Sequence, residues 1–247
     1  MISPVSKLFF EMGFSFVLEN LYKNGEKMDY KRITLIAGHY GSGKTNIAVN
    51  MAFDLKTKYD NVAVADLDIV NPYFRTKDSM LEFEDKGIRL ICSDYANTNV
   101  DIPALPQDMY AVIDDKSMMS IVDIGGDDRG AYALGRYAPG ILEEGNYEML
   151  FVINCFRPLT KNPQDVIEVM HEIETAGGIK FTGIINNSNL GNETTSEDVL
   201  SSLPYAKEVS KQAGLPVVMT SVMESLYESL SGKVPDLFSL SLQKKII

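Results

Sequence analysis

The chain has only two cysteines, Cys92 and Cys155, far apart and with no CxxC pair anywhere. That excludes zinc fingers and paired-cysteine redox motifs. Both thiols are expected as buried structural residues in a reducing compartment. No apolar run approaches the roughly 18 residues of a membrane span, so no transmembrane segment is expected. There is no dense Lys/Arg run and the net charge is −11, so direct nucleic-acid binding and electrostatic attraction to anionic membrane are not expected. Residues 1–27 lack the positive start and small-residue cleavage site of a secretory signal. Repeats and low-complexity tracts are also missing. A cytoplasmic location is the expectation.

At 247 residues the chain suits one large domain with a sizeable core. Residues 1–27 stand apart, as an apolar run from Leu8 to Leu21 broken by Glu11 and Glu19. One reading is an amphipathic helix facing a partner or membrane surface. The favoured one is a poorly ordered extension ahead of a start at Met28. From residue 28 to 247 short apolar runs alternate with helical patterns. Strands are expected at Asn61–Ala65, Ile88–Cys92, Ser117–Asp123, Glu148–Asn154, Phe181–Asn186 and Pro216–Thr220. Helices are expected near Phe74–Asp85, Gln107–Asp115, Tyr132–Glu144, Pro163–Ala176 and Ser196–Gln212, with a weakly alternating tail at Leu237–Leu242. This alternation predicts an α/β fold of three layers, a mostly parallel sheet flanked by helices on both faces. Ligands of such sheets bind beyond the carboxyl ends of the strands, where Gly38, Asp66, Asp123 and Asn187 all fall.

The organising stretch is Ile33 to Asn46, ITLIAGHYGSGKTN. A short buried strand runs into Gly38-His39-Tyr40-Gly41-Ser42-Gly43-Lys44-Thr45, with the spacing of a phosphate-binding Walker A loop. Glycines allow a tight turn that aims successive N–H groups at phosphate oxygens. Lys44 supplies a point charge for the β- and γ-phosphates, and the Thr45 hydroxyl is placed to ligate Mg²⁺. The helix opening at Asn46 turns its positive end toward the same phosphates. The motif lies between a strand and a helix, the context it requires, so the chain reads as nucleotide-binding.

Hydrolysis needs more, namely a carboxylate to hold Mg²⁺ and a group to place water in line with the γ-phosphate. Asp123 closes an apolar strand as a Walker B aspartate does. Gly126, in the Asp-Ile-Gly-Gly sequence, can swing a backbone N–H onto the γ-phosphate and so sense hydrolysis. Asp66 and Asp68 are expected to divide two tasks, one facing the Mg²⁺ region with Thr45 and Asp123, the other the attacking water.

Four blocks in order, Gly38–Thr45, Asp66-Leu67-Asp68, Asp123-Ile-Gly-Gly126-Asp127 and Gly183-Ile-Ile-Asn-Asn187-Ser188, together resemble the MinD/ParA/nitrogenase-iron-protein branch of P-loop NTPases, from about Met28 to Thr220. The resemblance implies an ATP-dependent switch, cycling between ATP and ADP with Mg²⁺, that dimerises face to face around nucleotide and acts on a protein client. It implies that Asp68 helps place the water, Asp123 is linked to Mg²⁺, Asp127 is a second carboxylate near the γ-phosphate, and Asn187 contacts adenine. No Asn-Lys-x-Asp run of guanine-specific relatives is present. The branch's lysine after the first glycine, which reaches across the dimer, is replaced by His39, and Arg129 is the alternative cation. Gly130 stands where iron-protein relatives carry a cluster cysteine, so no iron–sulfur cluster is expected. Three readings follow: a slow Mg²⁺-dependent ATPase, a nucleotide-gated regulator that hardly turns over, and an ATP-dependent small-molecule ligase or kinase.

Overall fold

The computed structural model describes residues 30–68, 82–92, 107–126 and 128–241, with the side chains of residues 107, 128 and 129 left out. The extension at residues 1–27, the core of the helix expected near Phe74–Asp85 and the loop at 93–106 therefore lie outside the described residues.

Eight strands form one sheet in the order β3-β2-β4-β1-β5-β6-β7-β8. They are β1 (Ile33–Ala37), β2 (Val62–Asp66), β3 (Arg89–Ile91), β4 (Met119–Asp123), β5 (Tyr147–Ile153), β6 (Gly183–Asn186), β7 (Val217–Met223) and β8 (Leu237–Leu240). Every pairing is parallel, as the α/β reading requires. The helices are α1 (Lys44–Lys56), α2 (Tyr110–Asp114), α3 (Asp128–Gly135), α4 (Ala138–Glu144), α5 (Pro163–Gly177), α6 (Ser196–Ala213) and α7 (Glu224–Leu230). β1, β2 and β4 are buried at every position, because helices cover both faces of a parallel sheet and leave no solvent side for alternation. Two large clusters flank the sheet. One includes Leu35, Val122, Phe151 and Ile184 with residues of α3, α5 and α6. The other includes Ile36, Val64, Ile121 and Val152 with Ile47, Met51 and Leu55 of α1.

Several boundaries differ from expectation. The helix expected over Tyr132–Glu144 is two helices, α3 and α4, broken before Pro139. Proline has no N–H to give and its ring crowds the preceding turn, so it is accommodated in the first turn of a new helix. The segment expected as one helix near Gln107–Asp115 begins as a 3₁₀ turn, Gln107–Met109. The strand expected over Pro216–Thr220 runs on to Met223, and the weakly alternating tail forms a true eighth strand, with Leu237 opposite Thr220 and Leu240 opposite Met223. β8 is pinned to α1 by a reciprocal pair: the Asn50 amide donates to the Ser241 carbonyl at 3.1 Å and accepts from the Ser241 N–H at 2.9 Å. The cysteines are half-buried rather than buried, since each lies just past the end of its strand, where the sheet opens toward solvent.

Arg32, just before β1, is 5% exposed. Its guanidinium donates to the carbonyls of Val112 at 2.8 Å, Asp115 at 3.0 Å and Met118 at 3.1 Å, and to the Glu144 carboxylate. It thereby ties the start of the central strand to α2, the turn before β4 and α4. Arg32→Met should destabilise the protein by about 2–4 kcal/mol, because it removes the charge-assisted bonds that the buried guanidinium makes to these carbonyls and to Glu144, which keeps only Lys116 as a partner among the described residues. Denaturant unfolding of the two proteins measures this.

Candidate nucleotide site

β1 pairs with β4 on one side and β5 on the other. The chain leaves β1 toward β2 and β3 and returns through β4 before filling the opposite half of the sheet with β5 to β8. This is a topological switch point, the place where open α/β sheets leave a crevice at their carboxyl ends. The loop Gly38–Gly43 occupies that crevice.

The loop is held from several directions. Gly38 lies against β5, where a Cβ would approach the Val152 carbonyl oxygen at 2.6 Å. The Ser42 N–H donates to the His39 carbonyl at 3.1 Å, closing the turn. Gly43 has φ 92°, and a Cβ there would meet Asn187 Nδ2 at 2.2 Å. Glycine is required at that point both by the left-handed backbone and by the close approach. From Gly43 the chain enters α1 with Lys44 and Thr45 in its first turn. Lys44 is 6% exposed, and its Nζ lies 3.5 Å from the His39 carbonyl oxygen.

The Walker B expectation for Asp123 meets a definite geometry. Thr45 Oγ1 donates to Asp123 Oδ2 at 2.6 Å. The other carboxylate oxygen, Oδ1, is buried and has no hydrogen-bond partner. Burial pushes the Asp123 carboxyl up to about 6, partly opposed by the Lys44 charge and the Thr45 hydrogen bond, with the Asp68 charge pushing it further up. An orphaned buried oxygen beside a threonine hydroxyl and an ammonium group suits Mg²⁺ held by Thr45 and Asp123, directly or through water. Bound there with a nucleotide, the ion would neutralise phosphate charge. The described residues contain no group of three or more His, Cys, Asp or Glu able to hold a metal. Mg²⁺ needs no such cage, because phosphates and waters supply most of its ligands.

Asp66 lies opposite Asp123 on the neighbouring strand and is 6% exposed. Strand alternation would set Asp66 and Asp68 on one face, but β2 ends at Asp66. Beyond it, the Asp68 N–H turns back to donate to Asp66 Oδ1 at 2.8 Å, so that turn and not the strand places Asp68. Gly126 sits directly on the phosphate loop. A Cβ there would lie 2.7 Å from the Tyr40 nitrogen and 2.9 Å from Lys44 Nζ. His39 faces its own loop, with Nδ1–H donating to the Tyr40 carbonyl at 3.0 Å. Asp127 falls outside the described residues. Arg129 is placed only by its backbone, in the first turn of α3.

Asn187 is 2% exposed, and its amide is heavily engaged. Nδ2 donates to the Ser42 carbonyl at 2.6 Å, while Oδ1 accepts from Ser221 Oγ at 2.6 Å and from Asn189 Nδ2 at 2.9 Å. It thus joins the phosphate loop to β6 and β7, and one amide N–H remains to give. A cavity of about 280 Å³ opens beside it, lined by Gly43, Asn46 and Arg157 together with Leu190, Val222, Met223 and Leu240. Ser221, Asn189 and Arg157 were not singled out from the sequence. Their shared signal is a position just after, or at, the carboxyl end of a strand of the sheet.

The comparisons with known proteins bear on the fold. The cell division protein FtsY of Thermotoga maritima is similar over 83% of this chain and 68% of its own, with TM-score 0.55 and 16% identity. The fold is that of a P-loop NTPase. The signal recognition particle 54 kDa protein of Aeropyrum pernix, solved in complex with GDP, matches at TM-score 0.50 and 16% identity over 80% of this chain and 42% of its own. FtsY of Mycoplasma mycoides matches at TM-score 0.48 and 17% identity over 83% of this chain, and this chain spans 63% of its length. No protein-family model and no curated protein sequence matches the chain. No described helix is long and apolar enough to cross a membrane.

Keeping Asp123 buried costs stability in the nucleotide-free protein. Its folded carboxyl holds a proton up to about pH 6 against an ordinary value of 3.8. Between those values the folded state binds more protons than the unfolded state, so this contribution weakens the fold as pH rises. Asp123→Asn should therefore stabilise nucleotide-free protein near neutral pH by on the order of 1–3 kcal/mol. The gap should close as pH falls toward the ordinary carboxylate range, and melts of both proteins across that range measure it.

Proposed function

We propose that the protein is a slow, Mg²⁺-dependent ATPase of the MinD/ParA kind, a nucleotide-driven switch in which two copies close around nucleotide and act on a protein client. The observation that carries this reading is the convergence of Lys44, the Thr45–Asp123 pair with its orphaned oxygen, and the Gly126 backbone on one phosphate loop. A γ-phosphate reaching Lys44 must displace or recruit Gly126, so triphosphate and diphosphate favour different positions of the segment that leads into α3. Asp68 is assigned to the attacking water, with Asp66 beside the Mg²⁺ region and Asp127 as a second carboxylate. Arg129 or His39 is assigned to the neighbouring copy's phosphate.

A second reading, a nucleotide-gated regulator with little turnover, is favoured by one feature. His39, at the position of the cross-dimer lysine, is engaged with its own loop through the Tyr40 carbonyl.

For the base, the amide N–H left on Asn187 suits N7 of either purine, so Asn187 selects purines without separating them. The discrimination falls to the rest of the cavity. Among the described residues that line it none is Asp or Glu, the side chains that would accept most strongly from guanine's N1–H and N2–H₂ donors. This supports adenine, although the Aeropyrum signal recognition particle protein was solved with GDP.

Calorimetric titration with Mg·ADP and Mg·GDP should show ADP tighter by tenfold or more, and Lys44→Ala should lose ADP binding and phosphate release. Equal affinities would remove the adenine assignment. Unchanged binding and turnover in Lys44→Ala would remove the site.

A further inference from the structure

We propose that Arg157 is a second phosphate-binding cation of this site, supplied by the same chain that carries the loop. The inference rests on the nucleotide-binding reading and adds to it a residue that no Walker motif contains. β5 runs beside β1, with Phe151 opposite Ala37, so the turn that follows β5 rises next to the phosphate loop. Arg157 Nε lies 3.9 Å from the point a Cβ on Gly41 would occupy. Arg157 also lines the cavity, as do Gly43 and Asn46, where α1 begins and its N–H groups point outward. Arg157 is exposed, and its guanidinium makes no hydrogen bond or ion pair with the described residues. It is a cation at the edge of an anion site with its donors uncommitted.

Its backbone, by contrast, is firmly set. Asn154, 1% exposed, accepts from the Phe156 N–H at 3.0 Å through its side chain and from the Arg157 N–H at 3.1 Å through its carbonyl. The Thr160 hydroxyl donates to that carbonyl at 3.0 Å, and Asn154 Nδ2 donates to the Asn189 carbonyl at 3.2 Å. The turn is thereby fastened to the loop after β6 that carries Asn187. A held backbone with a free guanidinium is suited to gripping phosphate oxygens through paired N–H bonds, which a lysine's point charge does not reproduce. It also gives the site a positive charge in cis where the chain has His39 in place of lysine.

Isothermal titration of full-length protein with Mg·ADP and with inorganic pyrophosphate tests this, using wild type, Arg157→Gln and Arg157→Lys. Arg157→Gln should weaken both ligands about tenfold, as expected for losing a charge-assisted contact. Arg157→Lys should recover part of the loss for both. The melting temperature of the ligand-free variants should match wild type, since the guanidinium supports no contact within the fold. Weakened ADP with unchanged pyrophosphate would overturn the proposal by moving the contact to ribose or base. Unchanged affinity for both ligands would overturn it while leaving the nucleotide reading intact. Wild type that binds neither would fail that reading and this proposal together.

Discussion

The hydrogen bond from Thr45 to Asp123 joins the first turn of α1 to the end of β4 inside the protein, and the site is arranged around its consequences. A carboxylate taken out of water favours its neutral form, yet holding Mg²⁺, as proposed, would need it charged. Lys44 and Thr45 supply part of the compensation from within the same loop. The remainder is left open in Oδ1, which finds no partner in the fold itself. The fold itself therefore leaves one oxygen of this carboxylate unsatisfied. On the proposed reading, stability is given up at the point where binding would recover it.

The phosphate loop is likewise not a free-standing motif. Its glycines sit against the Val152 carbonyl of β5 and the Asn187 amide after β6, and Asn187 is held in turn by Ser221 of β7. Three strands thus contribute to a loop that lies, in sequence, wholly between β1 and α1. Gly126 adds the end of β4, with its backbone close to Lys44 Nζ. A change at any of these strand ends reaches the loop through one or two contacts.

What could be read in advance follows from this arrangement. The placement of Gly38–Thr45 between a strand and a helix, and of Asp123 at a strand's end, was legible because a phosphate-loop pattern has particular residues at fixed local spacing, flanked by apolar strands. The parallel α/β class was legible because fully buried strands lose their alternation. The break before Pro139 was signalled by the proline itself, but the surrounding helical pattern outweighed it. The place of Arg157 was not legible. A lone arginine after a strand is ordinary, and only the pairing of β5 with β1 sets it beside Gly41. The second task of Asn187 was hidden for the same reason, since Ser42 and Ser221 lie 145 and 34 residues away from it. Strand order is a long-range property, and local pattern carries little of it.

That separation has a bearing on synthesis. Ile33 of β1 pairs with Ser120 and Tyr147, so the strand that leads into the loop leaves the ribosome long before either neighbour exists. Pairings so distant in sequence must wait for the intervening chain and form slowly. Gly38 to Thr45 are made early but acquire their shape late, when Asn187 and then Ser221 arrive. Until β4 and β5 emerge, an apolar segment with five buried positions in the finished fold stays without its strand partners. The growing chain is consequently exposed to aggregation over that interval, and its candidate nucleotide site is among the last parts to be assembled.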